Sequence, residues 1–346
     1  MRTPLSLTSQ QALLVHSMRA FVSSEIQPMS ALLQQGALAR PQLLELLESV
    51  AEFGLPAGAV ATQRGGLGLG WASLAHLFEE LARGSGELAE LVLGNLLAAP
   101  LLAARGTPAD GYLHDLLEGR RIVGLALDTG LSATLQPDGV ILDGTAERLR
   151  NASCADLVIC GANDSKGGLD CFLLDRHADR VDICHAHSSG NTSPLLSRLQ
   201  ITQTLLPVSR RLGDAVTITR LQDLRKLFEG LIRVAKAQQV LDLVVEQARE
   251  LATGDLHALL ALHLAEMATA ITAARQMILA GLQRLDEGQD AQADVRMASL
   301  LSSKTLMKIG QLAARIDPSH RAFAMTPYQP EHDADAQAIA RALLQA

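Results

Sequence analysis

The chain has 346 residues, a formal net charge of −7 and 48% hydrophobic content, enough apolar material for a large core spread over two or three units. One tryptophan, two tyrosines and six phenylalanines beside that negative charge exclude a nucleic-acid surface, which needs basic stripes and stacking rings. The longest apolar run, Leu91 to Ala104, contains Asn95 and Pro100 and is too short to span a bilayer. With no basic-then-apolar signal layout at the N-terminus, no membrane insertion and a cytoplasmic setting are expected.

Residues 8 to 25 read as an amphipathic helix opened by Thr8 or Ser9, and 41 to 53 as a second one started by Pro41 and closed by Gly54. The glycine-rich turn Arg64-Gly65-Gly66-Leu67-Gly68-Leu69-Gly70 follows, then a helix through Leu74, Leu77, Phe78 and Leu81. Such a turn ahead of a helix is one way to cradle a phosphate. Here no strand pattern precedes it and no Lys-Ser/Thr follows it, which favours a structural turn. Two more apolar helical stretches cover 86 to 104 and 109 to 118.

At Arg121 the texture changes to short apolar runs: Ile122 to Leu127, Val140 to Leu142, Leu157 to Cys160, Cys171 to Leu174, Val181 to Cys184 and Leu199 to Leu206. Turn-forming clusters such as Pro137-Asp138-Gly139 and Ser189-Gly190-Asn191 separate them, which predicts a small antiparallel β domain of about six strands. All four cysteines, Cys154, Cys160, Cys171 and Cys184, fall here without Cys-x-x-Cys spacing, as buried thiols in a reducing compartment do. Cys184-His185-Ala186-His187 offers zinc-type ligands, but alternation on a strand sends His185 to the face opposite the other two, so no metal is expected.

From Leu224 to Ile316 three long helical patterns follow one another. Leu224, Leu227, Leu231, Val234, Gln238, Leu241, Val245 and Ala248 form the first stripe, interrupted by Gln238 alone. After Thr253-Gly254-Asp255, Leu260, Leu264, Met267, Ile271, Ala274, Ile278 and Leu285 repeat it. Gly288 ends that helix, Asp290 caps the next, and Val295, Met297, Leu300, Leu301, Leu306, Ile309 and Leu312 build a third. A fourth is available from about Asp333 to Leu343, which predicts a four-helix bundle.

This order of elements, with several motifs, resembles the acyl-CoA dehydrogenase family. Arg64-Gly65-Gly66-Leu67-Gly68-Leu69 is similar to the family's Tyr-Gly-Gly-Leu-Gly-Leu, and Glu79-Glu80-Leu81-Ala82-Arg83 to its Glu-Glu-Leu-Ala-Arg. Gly139 to Gly144 matches its hairpin before the flavin strand. Glu266-Met267-Ala268, Ala273-Ala274-Arg275, Leu285-Asp286-Glu287-Gly288 and Ile339-Ala340-Arg341-Ala342-Leu343 follow in family order. The resemblance implies an α+β fold: an N-terminal helical domain over 1–119, a middle antiparallel β domain over 120–215, and a C-terminal four-helix bundle over 216–346 through which subunits assemble.

It also implies a chemistry in which a glutamate takes the α-proton of an acyl-CoA while FAD takes the β-hydride. Aligned without a gap on Ile339-Ala340-Arg341-Ala342-Leu343, the family's Tyr-Glu-Gly-Thr falls on Tyr328-Gln329-Pro330-Glu331. The base becomes Gln329, whose amide cannot accept that proton. The family's alternative base position on the first bundle helix falls at or near Arg225, which stays protonated. Glu331, two residues from the expected place, and Glu229, one turn along the helix, are the available substitutes. The flavin contacts are altered too: the region of the family's Thr-Glu-Pro reads Leu125-Ala126-Leu127-Asp128-Thr129, and its Trp-Ile-Thr falls on Arg148-Leu149-Arg150 before Asn151. The motifs that hold the flavin diphosphate across a subunit interface fall on Gln247 to Leu251 and Gln311 to Arg315, leaving Arg249, Gln311 and Arg315 as contacts, beside Leu127 and Thr129 near the ring. Solvated surface charge is the other reading of Arg249 and Arg315.

A retained core with an altered site implies a subunit of a heteromeric acyl-CoA dehydrogenase, paired two-plus-two with an intact homologous chain that supplies the glutamate and most of the FAD site. Such heteromers in the family act on steroid side-chain CoA thioesters. An autonomous flavoenzyme with a relocated base and a non-enzymatic acyl-CoA or acyl-carrier scaffold are the rivals.

Overall fold

The computed structural model describes residues 8–106, 110–127, 130–151, 153–179, 181–185, 196–251, 256–316 and 335–339. The helices are α1 (Ser9–Phe21), α2 (Ser30–Gln34), α3 (Arg40–Ala51), α4 (Trp71–Gly84), α5 (Gly86–Arg105), α6 (Asp110–Leu117), α7 (Ala215–Leu251), α8 (Leu256–Asp286) and α9 (Gln292–Ile316). The strands are β1 (Val123–Ala126), β2 (Leu131–Gln136), β3 (Gly139–Arg150), β4 (Leu157–Asp164), β5 (Leu169–Asp175), β6 (Asp182–His185), β7 (Leu196–Leu206) and β8 (Arg211–Gly213). The chain divides into two compact units, one made of Met1–Val22, Gly70–Gly86 and Lys226–Ala346, the other of Ser23–Leu69 and Glu87–Arg225.

In the first unit α1 opens with a capping box. The Thr8 hydroxyl accepts from the Gln11 N–H at 3.2 Å, and the Gln11 side chain accepts from the Thr8 N–H at 3.0 Å, which satisfies two end donors at once. The apolar stripe on α4 buries Leu74, Phe78 and Leu81 completely, and Phe228 of α7 meets Phe78 edge-on at 4.9 Å and Trp71 at 6.0 Å. Along α7 the expected stripe is buried at Leu224, Leu227, Leu231, Val234, Leu241 and Ala248, and Gln238 is half-buried. Helix α8 buries Met267, Ile271, Ala274, Ile278 and Leu285. Gly288, at φ +69°, ends it, and Asp290 accepts from the Gln292 N–H at 3.0 Å as the cap of α9. The Thr253-Gly254-Asp255 break lies outside the described residues. Of the fourth helix, residues 335–339 are helical and the remainder of Asp333 to Leu343 is outside them.

Helix α9 departs from expectation. Met297, Leu300 and Leu301 are half-exposed, while Ser299, Ser302, Ser303 and Thr305 are buried. A leucine count misplaces this face because helical hydroxyls can satisfy themselves on the preceding turn and so enter a core at low cost, as Ser302 does on the Ser299 carbonyl at 3.0 Å.

The second unit is built on α5, with Leu88, Leu91, Val92, Leu96 and Leu97 at 1% exposure or less. Among the described residues α5 alone is long and apolar enough to cross a membrane, yet two thirds of its apolar window is buried by protein, the state of a core helix. Gly94 lets α5 touch the sheet: a Cβ there would lie 2.0 Å from the Val123 carbonyl oxygen. One residue on, Asn95 donates to the Arg121 carbonyl at 2.8 Å and accepts from the Val123 N–H at 2.9 Å, fixing where β1 begins.

The sheet has the order β6-β7-β3-β2-β4-β5-β8, with β1 beside β4. It is mixed rather than antiparallel. β1 pairs parallel with β4 from Val123↔Leu157 to Ala126↔Cys160, and β2 joins β4 in parallel at Ser132↔Asn163 and Ala133↔Asp164. The other pairs are antiparallel. The unbroken apolar run of β4, buried from Leu157 to Ala162, is the pattern of a strand covered on both faces. Two strands exceed the expected six. β2 is one of them, an alternation of Leu131, Ala133 and Leu135 with Ser132, Thr134 and Gln136, and the three-residue β8 is the other.

Candidate functional site

In the first unit the polar residues of the Glu79 to Arg83 motif are committed to one network. Glu79 receives Arg275, the arginine of the Ala273-Ala274-Arg275 motif, with Nη2 at 2.7 Å and Nε at 2.8 Å. The Arg275 guanidinium reaches Gln238 at 3.4 Å, Gln238 donates to Asp242 at 2.9 Å, and Asp242 accepts from Arg83 at 2.7 Å. Gln239 donates to the Arg83 carbonyl. Glu80 accepts from Nη2 and Nε of Arg19 on α1, at 2.6 and 3.1 Å, and this pairing raises the Arg19 pKa. Gln238, which breaks the apolar stripe in sequence, is thus the bridge between Arg275 and Asp242.

The N-terminus of α4 is also taken. Asp286, from the Leu285-Asp286-Glu287-Gly288 motif, accepts from the backbone N–H groups of Trp71 at 2.8 Å and Ala72 at 3.0 Å. A protein carboxylate therefore occupies the place where a phosphate cradle would act.

Glu229 and Arg225, one turn apart on α7, are half-buried. Glu229 faces Arg233 at 3.6 Å, and Arg233 in turn donates to the Ser302 hydroxyl at 3.5 Å. Next to Arg225, Lys226 donates to Asp335 at 3.0 Å, and Asp335 is 4% exposed, an ion pair that no sequence spacing announced. Arg249, in the last turn of α7, and Gln311 and Arg315 on α9 are exposed. Arg315 lies within electrostatic reach of Glu266 on α8, whose pKa is lowered chiefly by its hydrogen bond from Lys308, at 2.6 Å.

In the second unit Leu127 is buried just beyond β1, and its carbonyl accepts from the Gln222 side chain at 3.0 Å. Gln222 is a further residue that sequence reasoning did not single out. Arg148 and Arg150 lie on β3, and Asn151 after them adopts φ +62° and donates to the Glu90 carbonyl at 2.8 Å. Thr129, Gln329 and Glu331 lie outside the described residues, as do Ala186 and His187. Among the described residues no group of three or more His, Cys, Asp or Glu could hold a metal ion. Burial pushes the Cys160 thiol far up, the Cys171 thiol to about 12 and the Cys154 thiol to about 11, so none of the three is an activated nucleophile.

A helical unit carrying these paired motifs, together with a mixed sheet, defines a protein of the acyl-CoA dehydrogenase type. Residues 8–120 match the acyl-CoA dehydrogenase N-terminal domain and residues 215–317 the acyl-CoA dehydrogenase C-terminal domain. The chain belongs to the acyl-CoA dehydrogenase family, whose members are oxidoreductases acting on CH–CH bonds and use FAD. It is 25% identical over 303 residues to an L-prolyl-[peptidyl-carrier protein] dehydrogenase of Serratia sp. (strain ATCC 39006), covering 77% of this chain and 76% of that protein. It is 26% identical over 300 residues to the caffeyl-CoA reductase-Etf complex subunit CarC of Acetobacterium woodii, with 79% of each covered. Among solved structures, a chain of the ChsE4-ChsE5 complex from Mycobacterium tuberculosis superposes with a TM-score of 0.82 at 20% identity, over 99% of this chain and 100% of that one.

Proposed function

We propose that this chain is a subunit of a heteromeric FAD-dependent acyl-CoA dehydrogenase, an enzyme of α,β-desaturation, in which it lacks the catalytic base. Its partner is an intact homologous chain, in a two-plus-two heterotetramer with one flavin per pair, working in the cytoplasm. The observation that carries this reading is the fate of the retained motifs: Glu79, Glu80, Arg83, Arg275 and Asp286 all hold helices to one another. What has been kept serves folding, while the base position reads Gln329, an amide with no basicity to offer.

The available groups also fit FAD poorly. The Leu127 carbonyl already accepts from Gln222, and the Glu266 carboxylate beside Arg315 offsets the charge a diphosphate would seek. Glu229 as a substitute base is disfavoured by Arg233, because a facing guanidinium stabilises the carboxylate and weakens it as a base. A bulky acyl group of the steroid side-chain kind is the substrate that the resemblance to such heteromers suggests. Two relatives named for complexes, one with Etf and one a two-protein assembly, agree with a partnered chain.

The test is co-expression with an intact homologue, reading the mass and flavin content of what co-purifies. A two-plus-two complex with one FAD per pair is expected, and the chain alone should be colourless. A well-folded monomer that ignores such partners, or one FAD per chain, overturns the reading. The similarity to a carrier-protein dehydrogenase favours a second reading, an autonomous flavoenzyme with a relocated base. A stoichiometric yellow homo-oligomer would establish it.

A further inference from the structure

The far end of β1 is closed by the chain's own side chains. A backbone carbonyl buried at the end of a strand needs a donor, because leaving it orphaned costs as much as a lost hydrogen bond. Leu127 is completely buried, and the donor to its carbonyl is the Gln222 amide, two turns into α7, at 3.0 Å. Local sequence sets this approach. Asp214 accepts from the Val216 and Thr217 N–H groups at 3.1 and 3.3 Å, which caps α7 and fixes where it starts.

Gly161 of β4 stands one step beyond the Ala126↔Cys160 pair, beside Leu127. A Cβ on it would lie 3.3 Å from Ile218 Cδ1 and 3.4 Å from the Leu127 carbonyl oxygen, so the bare backbone leaves that side to Ile218. Ile218 and Leu221 are buried there with Leu127. The resemblance puts Leu127 beside the flavin ring. An isoalloxazine has a ring N–H and a broad flat face, and at this place it would offer the carbonyl a donor and a cover. Gln222 already supplies the first and Ile218 the second.

We infer that Gln222 and Ile218 stand in for the cofactor at the end of β1, so that this segment is complete without FAD and stays closed to the ring when FAD is added. The inference deepens the heteromeric reading above, on which it rests. It makes this chain a subunit whose β1 is held by α7 and owes nothing to the flavin of the pair.

The experiment uses the full chain expressed alone and reads backbone hydrogen exchange over residues 122–127, relative to the other strands of the sheet, with and without excess FAD. FAD should leave it unchanged. Gln222→Leu keeps the apolar bulk and removes the donor, so exchange over 122–127 should speed up by roughly tenfold, with no slowing by FAD. Slower exchange over 122–127 when FAD is added to the original chain would show that the ring enters there and would overturn the inference. A folded Gln222→Leu variant with unchanged exchange would overturn it too. If that variant does not fold, the FAD arm on the original chain still decides. Stoichiometric flavin binding that leaves 122–127 unchanged would count against the heteromeric reading while upholding the closure of β1, so the two can fail separately.

Discussion

Gly70 and Asp286 meet so closely that a Cβ on residue 70 would lie 2.7 Å from the Asp286 carboxylate, which is engaged by the Trp71 and Ala72 N–H groups. The cap on α4 thus comes from 215 residues away, and the glycine is the space it needs. Asp286→Ala should cost about 0.5–2 kcal/mol, the range for losing a helix cap, and Gly70→Ala should lose much of the same interaction. The double variant should be little worse than Asp286→Ala alone. Urea unfolding followed by the emission of Trp71, the one tryptophan in the chain, checks both.

Glu79 and Arg275 have side chains 11% and 16% exposed, so breaking their pair strands a charge in a poorly hydrated place. Arg275→Met or Glu79→Gln should each destabilise by about 3–5 kcal/mol, whereas removing both together should cost clearly less than the sum. A double-mutant cycle in denaturant reads the difference, and full additivity would show that the two groups are not coupled.

Burial pushes the Asp175 carboxyl up, but the Ala178 and His177 N–H groups, Tyr112 and Arg210 together hold it below the ordinary aspartate value. A carboxylate with a depressed folded pKa adds stability above its unfolded pKa, about 4, and that stability is lost as pH falls through the folded value. Acid unfolding should therefore steepen below about pH 4. Asp175→Asn should be less stable at neutral pH and show a flatter acid limb, measured by the urea midpoint against pH.

Cys160 and Cys171 are completely buried, and burial raises the thiols of both, as it does that of Cys154. At pH 8 all three should resist alkylation in the folded protein and react together once it is unfolded. Peptide mapping by mass spectrometry separates them from Cys184. Fast native labelling of Cys154 would show that its surroundings are more open than its hydrogen bond to the Asn151 carbonyl, at 3.2 Å, implies.

Gln329→Glu restores in name the family's base. On the proposed reading, in which Arg148-Leu149-Arg150 stands where the family has its flavin-contacting Trp-Ile-Thr, the isolated variant should show no dehydrogenase activity with acyl-CoA substrates and an artificial acceptor. Turnover at ordinary family rates after that single change would place a working flavin site on this chain.

Much of the architecture could be read from the chain because periodicity and burial agree. The α7 stripe from Leu224 to Ala248 and the α8 stripe through Met267 and Ile271 needed no partner to be recognised. Helix α9 hid its inner face because Ser299, Ser302 and Ser303 do not look like core residues. β2 went unread although Leu131, Ala133 and Leu135 alternate with polar residues. The sheet's parallel pairs depended on reading Leu157 to Cys160 as a continuous rather than alternating run. At the candidate site the motifs were visible but their partners were not. Asp286 and Trp71, or Gln222 and Leu127, are joined only by the fold, and no local spacing encodes such pairs.

The division of the chain has a consequence for its synthesis. Helices α1 and α4 belong with Lys226–Ala346 in one compact unit, yet they emerge from the ribosome first, and the residues that engage Glu79 and the N-terminus of α4, Arg275 and Asp286, emerge some 200 residues later. At about 5–20 residues per second, the N-terminal helices wait on the order of 10–40 s with Leu74, Phe78 and Leu81 unburied. During that interval a chaperone is the available cover for that apolar face.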